Sequence, residues 1–296
     1  MSKVSSVYQR AIHLDILAGV LIVYMVYVHI CQLFQYDNNV CFKCLQHIFG
    51  FFMPWFFFKG GMFYHDGLTT QIIKSGFRRL ITPYILWTSI GVAILSIIRY
   101  YHGIPFDFLR CVKGSVGCML LTGSVRGNLP LWFLLTLFCS RILFHLSRKC
   151  KLPSVVVLVA CFIGGFLCNK FSIDTPKYLA NTLTGTMFYA GGYLLRSKQY
   201  NRYYTIFSFV IFIAINYFAY TYVGIRNNKV LDGYYLLWPL FSFSGIILFN
   251  NVFSLIENYR ENLLIVVKPL AYIGVHSLLI YVIHWPILLV LKELIN

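Results

Sequence analysis

One histidine, His29, stands deep inside a long apolar stretch from Leu14 to Phe34. An ionisable side chain at bilayer depth is costly, so it is a functional candidate by default. Two readings of it stay open: a neutral imidazole hydrogen-bonded to another helix, or a general base in a protein-lined cavity. Asp15 opens the same run, and at ~100° per residue positions 18 and 29 fall on one helical face, about 16 Å apart along the axis. A second charge, Lys59, sits among aromatics in Phe51-Phe52-Met53-Pro54-Trp55-Phe56-Phe57-Phe58-Lys59-Gly60-Gly61. It either snorkels to the nearby membrane face or meets an anion, with Asp15 the nearest acid by depth. The glycines after it permit close helix approach or a break. Arg78 and Arg79, one turn before Pro83, are placed to clamp phosphates bidentately, or act only as topology determinants. Near the C-terminus, Ser277, Tyr281 and His284 follow i, i+4, i+7 spacing and share a face, whereas His276 and His284 do not line one narrow stripe.

Elements able to position these residues must cross a bilayer. A ~30 Å hydrocarbon layer needs about twenty apolar residues per helix, and nine such stretches are legible: 14–34, 45–65, 80–98, 131–147, 153–169, 178–195, 203–223, 234–253 and 269–291. The segment 99–130 is long and glycine-rich, and reads as an outer loop, a re-entrant element or a tenth span. The composition agrees: 59% of residues are hydrophobic, 18% aromatic and 11% charged, with a mean hydropathy of +0.71. In lipid every backbone polar group must be satisfied within its own segment. The expected fold is therefore all-α, a polytopic transmembrane bundle of nine or ten spans forming one domain over 1–296, with no fused soluble domain.

The net charge of +16 does not point to nucleic acid, because the basic residues lie between apolar segments and form no continuous stripe. Lys74, Arg78 and Arg79, then Arg148, Lys149 and Lys151, then Arg196, Lys198 and Arg202 fall on alternate loops, on the side of Lys3 and Arg10. Positively charged loops face the cytoplasm, which puts the N-terminus there, in a plasma (inner) membrane. Met1 to Arg10 is polar and the first span lacks a small-residue cleavage site, so that span is expected to be retained. The nine cysteines make no disulfide framework. Cys41 and Cys44 form a CxxC in a short loop without a second ligand pair, which favours a local disulfide or free thiols over a metal site.

Five pieces in order resemble the membrane acyltransferase family (acyltransferase 3), which moves acetyl and other acyl groups onto sugars of surface polysaccharides. They are Leu14-Asp15-x-Leu17-x-Gly19 followed by His29; Phe57-Phe58-x-x-Gly61; Lys74-x-x-Phe77-Arg78-Arg79-Leu80-x-x-Pro83-Tyr84; Leu131-Trp132-Phe133-Leu134; and Ser277-Leu278-x-Ile280-Tyr281-x-x-His284-x-Pro286. The resemblance spans essentially the whole chain. It implies an O-acyltransferase, with acetyl-CoA as donor and co-substrate and a cell-envelope glycan or its lipid-linked precursor as acceptor. It makes His29 the catalytic residue, with Asp15, near the cytoplasmic end of the same helix face, as a second catalytic candidate. Arg79, Arg78 and Lys59 would hold the donor; Trp132, Tyr281, His284 and Ser277 would face the acceptor. The family carries a cation just before the span 1 glycine and an Arg-x-x-Arg before the span 3 proline. This chain has Ala18 and Gly76 at those positions, and Lys59, at a depth close to that of Ala18, is the candidate for a relocated cation. The competing readings are a transporter or flippase for a lipid-linked glycan, and a family member that binds without turnover.

Overall fold

The protein is described by a computed structural model covering residues 11–36, 39–104, 108–173, 176, 178–196, 202–218, 225–226, 229–230, 235–258 and 260–295. Lys3, Arg10 and Lys198, used in the orientation reading, lie outside the described residues. The helices are α1 (Ile12–Leu33), α2 (Val40–Phe49), α3 (Phe52–Met62), α4 (Thr69–Gly76), α5 (Thr82–Tyr101), α6 (Phe108–Leu121), α7 (Trp132–Lys149), α8 (Ser154–Lys170), α9 (Tyr178–Leu195), α10 (Arg202–Phe218), α11 (Leu237–Asn258), α12 (Arg260–Val275) and α13 (Ser277–Ile295). A pair of two-residue strands, Ile225–Arg226 and Lys229–Val230, is the small exception to an all-α bundle.

Among the described residues, six helices are long and apolar enough to cross a membrane: Ile12–Leu33, Val40–Met62, Thr69–Tyr101, Leu129–Lys149, Leu237–Leu255 and Ser277–Ile295. The shorter α8 and α10 turn Val155, Val159, Ile163, Phe207, Val210 and Ile213 outward. An apolar exterior of this kind suits lipid and not water. The chain is a multi-pass membrane protein. Helix α9 carries Asn181, Thr182, Thr184 and Thr186, yet all four are buried, because α9 is enclosed by α3, α7 and α8. A helix surrounded by protein does not need an apolar surface.

Several boundaries differ from the sequence reading. Arg78 and Arg79 are not in a loop: α4, a π-helical turn at Phe77–Ile81 and α5 form one continuous helical rod. The second span is interrupted at Gly50–Phe51, and the last is stepped at His276, although the backbone bonds from His276 to Tyr272 and from Ile280 to His276 carry the helix through. Cys41 and Cys44 lie on α2, not in a loop, and both are free thiols. The 99–130 segment holds the 14-residue α6, about 21 Å long at 1.5 Å per residue and so too short to span unaided. After α6 the chain turns back through Gly123 and Gly127, both at positive φ. A Cβ on Gly91 would lie 2.5 Å from the Gly127 carbonyl oxygen, so this loop returns against α5 at a contact only glycine permits.

Glycine also sets the contact that aligns the bundle. A Cβ on Gly19 would fall 2.0 Å from the Leu270 carbonyl oxygen, and one on Gly274 would fall 1.7 Å from that of Asp15. Helices α1 and α12 therefore meet backbone to backbone, as small residues allow in membranes. Gly61 does the same for α3 against α9, where a Cβ would lie 1.8 Å from the Tyr189 carbonyl oxygen, and Gly60 lies against the Tyr189 ring, 2.9 Å from where its Cβ would be. The paired glycines thus serve close approach without breaking α3. Gly274→Val is expected to destabilise the protein by at least about 1–3 kcal/mol, since neither backbone can yield, and thermal unfolding of the purified protein measures it. An unchanged melting temperature would show that the α1–α12 contact is not tight.

Candidate active site

The α1–α12 contact sets the register of α1 against α13. Gly19 meets Gly274, and ten residues further along each chain His29 Nδ1 lies 2.8 Å from His284 Nε2. The rings are nearly parallel, 9° apart, and the Trp285 indole meets His29 edge-on at 5.5 Å. His284 Nδ1 is 2.7 Å from the Tyr281 carbonyl oxygen. A carbonyl only accepts, so Nδ1 of His284 carries a proton and, in a neutral ring, Nε2 is a lone-pair acceptor. His29 Nδ1 then donates to it. That assignment leaves His29 Nε2 unprotonated and, among the described residues, without a hydrogen-bond partner. His29 is half-buried and four residues from the end of α1, ~6 Å by helical rise. It is thus near the far end of the span and not at its middle.

At the opposite end of α1, Lys59 Nζ is 3.5 Å from Asp15 Oδ1 and 3.4 Å from the Leu14 carbonyl oxygen. It also lies 5.1 Å from the Trp55 ring centroid, within cation–π range. The Asp15 side chain keeps 11% of its surface and that of Lys59 23%. Snorkelling into water does not describe an ammonium held this way. Between this ion pair and the histidines runs a cavity of about 230 Å³. Helix α1 contributes Ile22 and Met25 to it, α3 Phe56, α7 Phe133, Leu134 and Leu137, and α13 Ser277 and Tyr281. By helical rise, Asp15 and His29 are ~21 Å apart along α1.

An acyltransferase-domain family model matches residues 12–296. The chain belongs to that family. No curated protein and no solved structure matched it. It is a membrane acyltransferase, and the expected class of chemistry is acyl transfer.

Within the acyltransferase, the sequence candidates separate into three groups. Ser277 and Tyr281 line the cavity, and His284 sits beyond them against His29. Trp132 is buried next to Phe133 but is not among the residues lining the cavity. Arg78 and Arg79 are exposed on the π-helical turn, and from that turn it is Leu80 that reaches the cavity wall. Successive helical residues point ~100° apart, so Leu80 faces inward while the two arginines before it stay on the outer side of the turn.

The residues that hold α13 in place were less visible in sequence. Tyr281 donates its hydroxyl to the Pro130 carbonyl oxygen. Asn128, fully buried, donates from Nδ2 to the Val282 carbonyl oxygen at 3.1 Å. The loop returned by Gly127 thus clamps the turn of α13 that leads to His284. An asparagine directly before a Leu-Pro-Leu-Trp helix entry was the available signal, but its partner on α13 is 154 residues away in sequence. On the other side of the bundle, His145 bridges the Tyr64 hydroxyl at 2.8 Å and the Thr69 hydroxyl at 3.1 Å. This fastens α4 to α7.

Proposed function

We propose that the protein transfers an acyl group, acetyl in the first instance, from coenzyme A to a hydroxyl of a cell-envelope glycan or its lipid-linked precursor. The donor enters from the cytoplasm at the end where α1 begins, and the acceptor meets it at His29. The observation that carries this reading is the hydrogen-bond chain from the Tyr281 carbonyl through His284 to His29. It leaves a bare imidazole nitrogen near the end of a cavity whose other end is cationic. The lining suits a slender thioester arm: it is apolar apart from the hydroxyls of Ser277 and Tyr281, and the Tyr281 hydroxyl is already engaged.

In this mechanism His29 Nε2 accepts the proton of the acceptor hydroxyl as that oxygen attacks the thioester carbonyl. The C–S bond then breaks, the acyl group stays on the sugar oxygen, and His29 returns its proton to the departing sulfur to give the free thiol. His284 is the positioning residue. It fixes the His29 tautomer from one side, the part that the third member plays in base–orienter arrangements. Because the protonated His29 keeps its Nδ1–H bond to His284, the imidazolium formed midway stays hydrogen-bonded.

Purified full-length protein in nanodiscs, given acetyl-CoA and the surface glycan, should release free thiol in step with acetylated sugar read by mass spectrometry. Movement of a lipid-linked glycan across the bilayer with no thiol release would establish the flippase reading instead. Arg79 is proposed to meet the donor's phosphates at the mouth, where a guanidinium's planar fork cannot be copied by an ammonium. Arg79→Lys is expected to weaken acyl-CoA binding about tenfold, with Arg78→Lys weaker in effect. Unchanged affinity together with misinserted protein would leave these arginines a topology role alone.

A further inference from the structure

Arg141 has no role in the chemistry described, and its position calls for one. It lies on α7, four residues after Leu137 and seven after Leu134, both of which line the cavity. That spacing puts Arg141 on the same helix face, one turn nearer the entrance. Helix α4 packs closely across from it: a Cβ on Gly76 would sit 3.0 Å from the Phe138 ring and 3.8 Å from Arg141 Nη1, and Gly76 is one turn before the cavity residue Leu80. Lys59 is one turn from Phe56 on α3. Two cations on separate helices therefore flank one end of the cavity.

They differ in what balances them. Lys59 has Asp15. Arg141 is half-buried, and its hydrogen bond goes to the neutral Ser75 hydroxyl at 3.0 Å. Among the described residues no carboxylate pairs with it. The acid on that side, Asp66, is already engaged by Arg148 at 3.8 Å and by the Tyr64 hydroxyl at 3.1 Å. Packing of α4 on α7 covers Arg141, so the guanidinium is not simply extended into water. A half-buried guanidinium with one neutral partner has four further N–H donors in a planar fork, and withdrawing it from water is favourable only when an anion takes the place of solvent.

We propose that Arg141 binds a phosphate of the donor nucleotide at the inner end of the cavity, ahead of the exposed Arg78 and Arg79. This inference rests on the acyl-CoA reading above. From this level the ~21 Å of α1 between Asp15 and His29 is the reach of an extended phosphopantetheine arm. A phosphate held at Arg141 thus places the thioester beside the imidazole. Arg141 is a binding and positioning residue; it does not touch the reacting atoms. The same chemistry would suit the phosphate of a lipid headgroup, and the experiment separates the two sources.

The test uses full-length protein in nanodiscs of phosphatidylcholine alone, and in others containing phosphatidylglycerol, with CoA binding and transfer measured for wild type, Arg141→Gln and Arg141→Lys. Arg141→Gln should weaken CoA binding ~10- to 100-fold, the scale of a charge-assisted bond, and raise KM for acyl-CoA far more than it lowers kcat. Arg141→Lys should fall between. Acyl-pantetheine, which lacks the nucleotide phosphates, should be used equally well by all three proteins in both lipids. The proposal is overturned if Arg141→Gln binds CoA as wild type does. Equal losses for acyl-CoA and acyl-pantetheine would overturn it in favour of structural damage. An effect confined to phosphatidylglycerol nanodiscs would overturn it in favour of a lipid-headgroup site. Failure of the wild type itself to bind or turn over acyl-CoA would instead remove the donor reading on which the proposal stands.

Discussion

His29→Ala protein is expected to insert, fold and bind acyl-CoA while transferring acyl groups at least ~10²-fold more slowly, the usual scale for a general base. The expectation rests on geometry: a bare Nε2 near the end of the cavity, with Nδ1 occupied by His284. His284→Gln tests the relay separately. Glutamine can accept from His29 and donate to the Tyr281 carbonyl through its own amide, so a substantial part of the rate should survive. His284→Leu removes the acceptor and frees His29 to adopt the other tautomer, so it should approach the loss seen in His29→Ala. Acyl transfer by His29→Ala within a few fold of wild type would remove His29 from the mechanism. Full activity in His284→Leu would remove only the tautomer argument.

Lys59→Met should also abolish transfer, and the structure shows why the single variant is ambiguous. It leaves Asp15, buried beside the α1–α12 crossing, without its cation, and breaking a buried pair from one side costs roughly 3–5 kcal/mol before the solvent exposure of Lys59 reduces it. The informative protein is therefore Lys59→Met with Asp15→Asn, in which no charge is stranded. It should unfold at a temperature close to wild type, yet bind acyl-CoA at least tenfold less tightly and show little transfer. Wild-type activity in that double variant would make the Lys59–Asp15 pair structural and reject the idea that Lys59 supplies the cation absent at Ala18. Recovery of stability without recovery of binding assigns the ammonium to the donor.

Much of this protein is legible from its residues taken in order. Long apolar runs between basic turns dictate membrane helices, because backbone groups in lipid have no other partners. The type of residue marks His29, Asp15 and Lys59 as needing explanation, since each is costly at depth whatever surrounds it. Depth alone also suggested Asp15 and Lys59 as neighbours, and they lie 3.5 Å apart. The elements misread were those where local pattern was weakest. A basic, serine- and glycine-containing stretch around Lys74–Arg79 reads as a loop, yet it is helical, and its Thr69 and Ser75 are hydrogen-bonded to His145 and Arg141 of α7.

What tertiary structure decided is which polar groups meet. His29 and His284 are 255 residues apart in sequence, and no periodicity within either helix says that they share a hydrogen bond. Their register is decided at Gly19 and Gly274, where two backbones touch. The inward reach of Asn128 is decided by a glycine contact between α5 and its return loop. Arg141 shows the same division from the other side: its sequence says only that a cation lies in a span. Whether that charge meets water, a carboxylate or an open cavity depends on the helices packed around it, because the cost of a charge in a membrane is set by its neighbours and not by its own residue type.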